Sequence, residues 1–243
     1  MKSLEKNISL RISECDFCNT WRPGAILTEL QEIAGAHSAA LGNGREELLR
    51  SGLAWVVSRL ELRMERYPVS GETVSLETFH RPHRHRFFPR FFILRDEAGR
   101  VIGRASSLWL LMDLETRQSV NADRLASAMP DNSDLPEPLP LPGSIRSLSA
   151  PEKVIPWQAL YTDLDPNGHV NNTKYADWLC NALGIDCMAA HQLSSLTIHF
   201  NSEVRPGQPL SLHLRQEENC VQLIGMHEEK PAFEIGALLV SRP

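Results

Sequence analysis

Apolar residues recur at helical spacing in two places along the chain. In TELQEIAGAHSAALG (Thr28 to Gly42), Leu30, Ile33, Ala34, His37 and Leu41 fall on one stripe. In NTKYADWLCNALG (Asn172 to Gly184), Tyr175, Trp178, Leu179, Ala182 and Leu183 form the equivalent stripe. Each pattern predicts one helix closed by a glycine, Gly42 or Gly184, which accepts the left-handed conformation that ends helices. After each helix the period changes to two. Trp55 to Phe79 alternates and turns at Pro68 to Gly71, and Leu193 to Leu214 alternates and turns at Pro206 and Gly207. Further strand-like runs, Arg90 to Asp113 and Cys220 to Arg242, close the two halves.

The same order of elements thus occurs twice, which predicts duplication of a whole domain. Trp55–Leu62 overlays Leu193–Phe200, and the same shift places Glu65 on Glu203 and Pro68 on Pro206. A sheet wrapped around one apolar helix satisfies both hydrophobic faces, so the expected class is α+β. Between the halves, PDNSDLPEPLPLPGSIRSLSAP carries prolines at 130, 136, 138, 140, 142 and 151, and reads as a linker. The expected division is a domain at 1–130, a linker at 131–151 and a second domain at 152–243.

Composition narrows the class of function. The chain has 243 residues, 42% hydrophobic and 23% charged, which is ordinary for a globular protein. A formal net charge of −5 argues against a general nucleic-acid binder. No apolar run reaches the length of a membrane span, and the first fifteen residues lack the apolar core of a secretory signal. Five cysteines without an export signal point to free thiols and a cytoplasmic location.

The densest polar cluster, YTDLDPNGHVNNTKY (Tyr161 to Tyr175), lies just before the second helix. Asp165, Asn167 and His169 alternate, so an extended segment would project them to one side. Gly168 allows close approach of the backbone to a ligand, and Asn172 or Thr173 can cap the helix. Aligned through the two helix-ending glycines, these three polar residues fall opposite Pro23, Ala25 and Leu27 of the first half. The polar set is therefore expected in one copy only.

The string DLDPNGHVNNTKYADWL, followed by LSSLTIHFNSEV, resembles the acyl-acyl carrier protein (acyl-ACP) thioesterases of plant and bacterial type. GLAWVVSRLELRMERYPVSGETV and GRASSLWLLMDLETRQ extend the likeness into the first half. The resemblance implies a tandem, double hotdog fold and hydrolysis of fatty acyl-ACP in fatty acid biosynthesis. By position it places the family's site residues on Asp165, Asn167, His169 and Glu203. The cysteine that follows the acid in many plant members is Val204 here, so a Cys–His–Asn mechanism cannot operate at that position. It also implies an acyl slot in the first domain, with Leu30, Ile33, Ala34, Trp55 and Val57 as lining. No cofactor or metal is implied. An internal pseudo-dimer is expected, and a homodimer of tandem chains stays open.

Thioester hydrolysis needs an activated water, a stabilised oxyanion and a proton for the thiol. Glu203 and His169 are expected to position and deprotonate the water, and Asn167 to orient water or carbonyl. Amides at the start of the second helix would serve the oxyanion. Asp165 is either an orienting group or a carboxylate nucleophile. The run from Arg81 to Arg95 contains no acid and offers Arg84, Arg86 and Arg90 as a docking patch for an acidic carrier. Its other reading is a solvated strand face. Arginines beside His80, His83 and His85 disfavour a metal there, and the Cys15–Cys18 pair has no second pair to complete a zinc site. An acyl-CoA thioesterase, a non-catalytic acyl-binding protein and a hotdog dehydratase are the rival readings.

Overall fold

The first apolar stripe folds as α1 (Pro23–Ala40), which starts earlier than its apolar periodicity predicts because Pro23 suits the first helical turn. Ile26, Leu27, Leu30, Ile33, Ala34, His37 and Ser38 are among its buried positions. In this computed structural model, which describes residues 1–121, 125, 129–147 and 150–243, the chain divides into two units. One comprises Met1–Trp21 and Ala25–Pro142, the other Arg22–Gly24 and Gly143–Pro243.

Besides α1, the first unit contains β1 (Leu4–Ser9), α2 (Arg45–Arg50), β2 (Leu53–Met64), β3 (Thr73–His80), β4 (Phe88–Arg95) and β5 (Val101–Asp113). Its antiparallel strands run in the order β1-β3-β4-β5-β2. Cross-strand register sets Leu76 opposite Leu94, Thr78 opposite Phe92 and His80 opposite Arg90. Leu76 and Leu94 are fully buried, as the apolar face of a sheet requires. His80 and Arg90 continue the same row in polar form.

The second unit has β6 (Lys153–Trp157), α3 (Lys174–Leu183), α4 (Ile185–Ala190), β7 (His191–Phe200), β8 (Leu210–Glu217), β9 (Cys220–His227) and β10 (Lys230–Ser241). Its strand order, β6-β8-β9-β10-β7, repeats that of the first unit element for element. The stripe on α3 packs Tyr175 and Trp178 against Phe233 at ring-centroid distances of 4.5 and 5.8 Å. Phe200 and Trp157 complete this aromatic layer. Phe233 pairs with Gly225 across β10 and β9, and a Cβ on that glycine would collide with the ring. Gly42 and Gly184 adopt φ of 76° and 90°, the left-handed ends expected for the two helices.

The proline-rich stretch forms no helix or strand among its described residues, and residues 148 and 149 lie outside them. Up to Pro142 it is pinned along the first unit. Asn132 is fully buried and donates through Nδ2 to the carbonyls of Lys2 and His80 at 2.8 and 2.7 Å. Ser106 Oγ donates to Pro140 O at 2.7 Å, and Glu137 takes Arg84 at 2.6 Å and Arg81 at 3.4 Å. Among the described residues no helix is long and apolar enough to cross a membrane.

Candidate active site

The polar cluster folds as a closed loop, not as the extended segment that its alternation suggested. A 3₁₀ turn at Tyr161–Asp163 leads in, with the buried Asp163 carboxylate accepting Leu160 N at 2.9 Å. Leu164 and Val170 then bridge as neighbouring strands do. Between them, Asp165 N donates to His169 O and Gly168 N to Asp165 O, at 2.9 and 3.0 Å. Gly168 makes this turn at φ 80°, where a side chain would be strained. Asp165 Oδ1 accepts Asn167 N at 2.8 Å, and Oδ2 accepts Asn167 Nδ2 at 3.2 Å. The turn, not strand alternation, gathers the three residues.

One backbone bond attaches this loop to the chain beyond β7. Val170 N donates to Val204 O at 2.8 Å, which brings Glu203 alongside His169. The imidazole stands between two carboxylates: Nδ1 is 3.5 Å from Asp165 Oδ2 and Nε2 is 3.8 Å from Glu203 Oε1. The three side chains retain 14%, 25% and 31% exposure for Asp165, His169 and Glu203, so solvent reaches them. Val204 itself is buried and contributes only its carbonyl. Two neighbours escaped the sequence reading. Arg205 Nη2 lies 3.2 Å from Glu203 Oε2, and the signal was its position two residues after the acid. Tyr175, treated only as a core position, has its phenol pushed up by burial and by the charges of Glu203 and Asp165.

The helix start offers less than expected. Thr173 makes no side-chain cap, and Asn171 Oδ1 instead accepts Thr173 N at 3.0 Å. Lys174 N is bound to Asn171 O at 2.9 Å, so two of the amides expected to face an oxyanion are already engaged.

The structure corrects the alignment of the two copies. In the first unit, a 3₁₀ turn at Ile12–Glu14 leads to a Cys15–Trp21 bridge. Asp16 N donates to Thr20 O and Asn19 N to Asp16 O, repeating the second loop bond for bond. Asp165, Asn167 and His169 therefore stand opposite Asp16, Cys18 and Thr20, not Pro23, Ala25 and Leu27. The strands also shift. Glu65 and Arg66 both donate to Ile102 O, as Asn201 and Ser202 both donate to Ala232 O. Trp21 N binds Pro68 O as Val170 N binds Val204 O, so Glu203 falls opposite Tyr67 and not Glu65. The aspartate of the turn is common to both copies; the asparagine, histidine and glutamate occur only in the second.

The other predicted residues separate into groups. Leu30, Ile33 and Ala34 line the buried face of α1. Trp55 belongs to a different cluster, meeting Phe88 edge-on at 4.9 Å beside Leu48, Leu53 and Leu111, and Val57 is buried on β2. Arg84 is exposed but paired with Glu137, and Arg86 is exposed beside Ser119 in an open groove of about 630 Å³. Arg90 is a correction: it is only 5% exposed and points inward, because β4 sets it in one row with His80 on the covered face. It cannot meet a carrier. None of the five cysteines forms a disulfide, and no three His, Cys, Asp or Glu among the described residues are grouped to hold a metal.

A family model described as the acyl-ACP thioesterase N-terminal domain matches residues 1–126, and one for the C-terminal domain matches 149–235. A chloroplastic palmitoyl-acyl carrier protein thioesterase of Gossypium hirsutum is 27% identical over 211 residues, covering 82% of this chain and 51% of that protein. A chloroplastic dodecanoyl-[acyl-carrier-protein] hydrolase of Cinnamomum camphora is 30% identical over 193 residues, covering 74% and 50%. The chain spans about half the length of these curated relatives. Among solved structures, an acyl-ACP thioesterase from Bacteroides thetaiotaomicron superposes with a TM-score of 0.88 at 23% identity, covering 98% of each chain. A 12:0-ACP thioesterase from Umbellularia californica gives 0.85 at 21%, covering 99% of this chain and 98% of that one. The fold is the α+β double hotdog, and with both family models matched in order along it, the chain belongs to the acyl-ACP thioesterase family.

Proposed function

We propose that this protein hydrolyses the thioester of a fatty acyl-ACP to free fatty acid and carrier, as a step of fatty acid biosynthesis. The observation that carries this reading is the Asp165–His169–Glu203 arrangement, with a carboxylate on each side of one imidazole. Asp165 faces Nδ1 and favours a proton there, leaving Nε2 as the base. A gap of 3.8 Å between Nε2 and Glu203 Oε1 admits one water about 2.8 Å from both. Nε2 takes a proton from that water as it attacks the thioester carbon, and the imidazolium returns it to the departing thiolate. Asn167, whose amide is oriented by its bond to Asp165, would donate to the carbonyl oxygen as it becomes negative.

The bonds that Asp165 accepts from Asn167 favour orientation over nucleophilic attack, because a carboxylate with a donor on each oxygen is a poorer nucleophile. A single turnover in ¹⁸O-labelled water is expected to label the fatty acid and leave Asp165 unlabelled. Label in the Asp165 carboxylate would establish an acyl-enzyme.

The acyl chain is assigned to the first unit, along the apolar face that Leu30, Ile33 and Ala34 provide with Val57. The acidic carrier is assigned to Arg84 and Arg86, which are exposed. Reversing both charges is expected to raise KM for acyl-ACP several-fold, more at low salt, and to spare acyl-CoA. Equal loss on both carriers would remove the docking assignment. Comparing kcat/KM for one acyl chain on ACP and on CoA tests the carrier itself; a preference for CoA would favour the acyl-CoA thioesterase reading. A cytoplasmic reading is supported by the five cysteines, which are thiols and not disulfides.

A further inference from the structure

The correction at Arg90 uncovers a cluster that the thioesterase chemistry does not use. Arg90 lies inside the first unit with no carboxylate partner among the described residues. Its Nη1 meets His37 Nδ1 at 3.0 Å and Thr78 Oγ1 at 3.3 Å, and its Nη2 meets Ser38 Oγ at 3.1 Å. His80 stands beside it on β3, its ring 5.5 Å from that of His37. His37, His80 and Arg90 are at least nine-tenths buried. Buried guanidinium groups ordinarily face a carboxylate, since desolvation is otherwise uncompensated.

The hydrogen-bond inventory shows what is missing. His37 Nδ1 accepts from the cationic Arg90, so its proton is on Nε2, and that donor has no partner in hydrogen-bonding geometry. Neither nitrogen of His80 has one, although a neutral imidazole carries one N–H. Asn132 closes one side, and its Oδ1 is likewise unpartnered. The two rings and the guanidinium supply a full positive charge and more donors than acceptors. An oxyanion satisfies both deficits.

We propose that Arg90, His37 and His80 form a buried anion-binding site in the first unit that takes a carboxylate. With three guanidinium hydrogens held by His37, Thr78 and Ser38, the edge through Nε and Nη2 offers a planar fork matched to that group, and the imidazole N–H groups complete its coordination. Placement extends the idea to substrate choice. His37 follows Ile33 and Ala34 by one helical turn on α1, so the polar cluster continues the apolar face assigned to the acyl chain. The carboxylate has two possible sources: a free carboxylate, or one carried at the far end of an acyl group. Only the second source rests on the thioesterase reading.

The test uses the full chain at constant ionic strength. Titration of the wild type with sodium hexanoate, followed by calorimetry and by the ring resonances of labelled His37 and His80, is expected to show saturable binding with both rings shifted. Arg90→Met is expected to weaken binding about 10- to 100-fold, and Arg90→Lys less. If Arg90→Met does not fold, His80→Leu and the wild-type resonances carry the test. No saturation, no shift at either ring, or equal affinity in Arg90→Met would overturn the site. Hydrolysis of adipoyl- against hexanoyl-thioesters identifies the source. A preference for adipoyl that falls about tenfold in Arg90→Met supports the chain-end carboxylate. Hexanoate binding without that preference supports a free carboxylate, and it stands even if the protein hydrolyses neither thioester.

Discussion

Alanine at His169 is expected to lower kcat for acyl-ACP hydrolysis by about 10²- to 10⁴-fold, the usual contribution of a positioned general base. His169 stands 3.5 and 3.8 Å from the two carboxylates, so its loss removes the base for water and the acid for the thiolate together. KM is expected to change little, because the imidazole acts on reacting atoms and not on the carrier. Thr20→Ala supplies the internal control. Thr20 occupies the same turn in the first copy and there donates to Asp16 Oδ2 at 3.0 Å, so its removal costs local stability and leaves kcat near wild type. Glu203→Gln separates the two halves of the mechanism: it keeps a hydrogen-bonding group beside the water but withdraws the charge that stabilises imidazolium. Its loss is expected to lie between those of Thr20→Ala and His169→Ala.

The second large effect is on stability and comes from the buried histidines. Burial, reinforced by the charge of Arg90, pulls His37 down to about 4 from an ordinary 6.5, although the Met1 backbone opposes the shift. His80 falls to about 3 for the same two causes, with His37 adding to them and the Arg81 backbone opposing. Burial alone draws Arg90 to about 9, so it stays charged near neutrality and keeps both rings from protonating. Between pH 6.5 and these depressed values the unfolded chain binds more protons than the folded one. The stabilisation is complete above pH 6.5 and declines as pH falls toward 4 and then 3. Two fully excluded protons would give a slope of about 2.7 kcal/mol per pH unit; with some solvent screening, on the order of 1 kcal/mol per unit is expected. Urea unfolding between pH 7 and 4.5 measures it, and His37→Gln with His80→Gln should flatten the slope. An unchanged slope in the double variant would refute the assignment.

Much of the architecture was visible in the amino-acid pattern because helices and strands declare themselves through period. The stripes on α1 and α3, the glycines at 42 and 184 and the repeated order of strands all follow from local side-chain spacing. Comparison between copies was less legible. α1 has 18 residues and α3 has 10, so alignment through the helix-ending glycines misplaced the loops before them. It concealed that Asp16 and Asp165 hold the same turn, which means the aspartate alone does not mark a chemical site. The asymmetry lies in Cys18, Thr20 and Tyr67 against Asn167, His169 and Glu203. Arg90 shows a different limit. A run of five arginines reads as one charged surface, but β-pleating sends alternate residues to opposite faces, and only the register of β3 and β4 shows which face Arg90 takes. Arg81 and Arg84 find their acid in Glu137, far along the chain, which no local reading of charge could supply.

The central claim is that a carboxylate–imidazole–carboxylate site turns over a carrier-bound thioester. Its most direct test is the rate of free fatty acid and free carrier thiol released from a panel of saturated acyl-ACPs by the purified chain. Release of acid and thiol in equal amounts, over many turnovers and for a limited set of chain lengths, is the predicted result. Tight binding of acyl-ACP without release of either product would contradict it and leave an acyl-binding protein in its place.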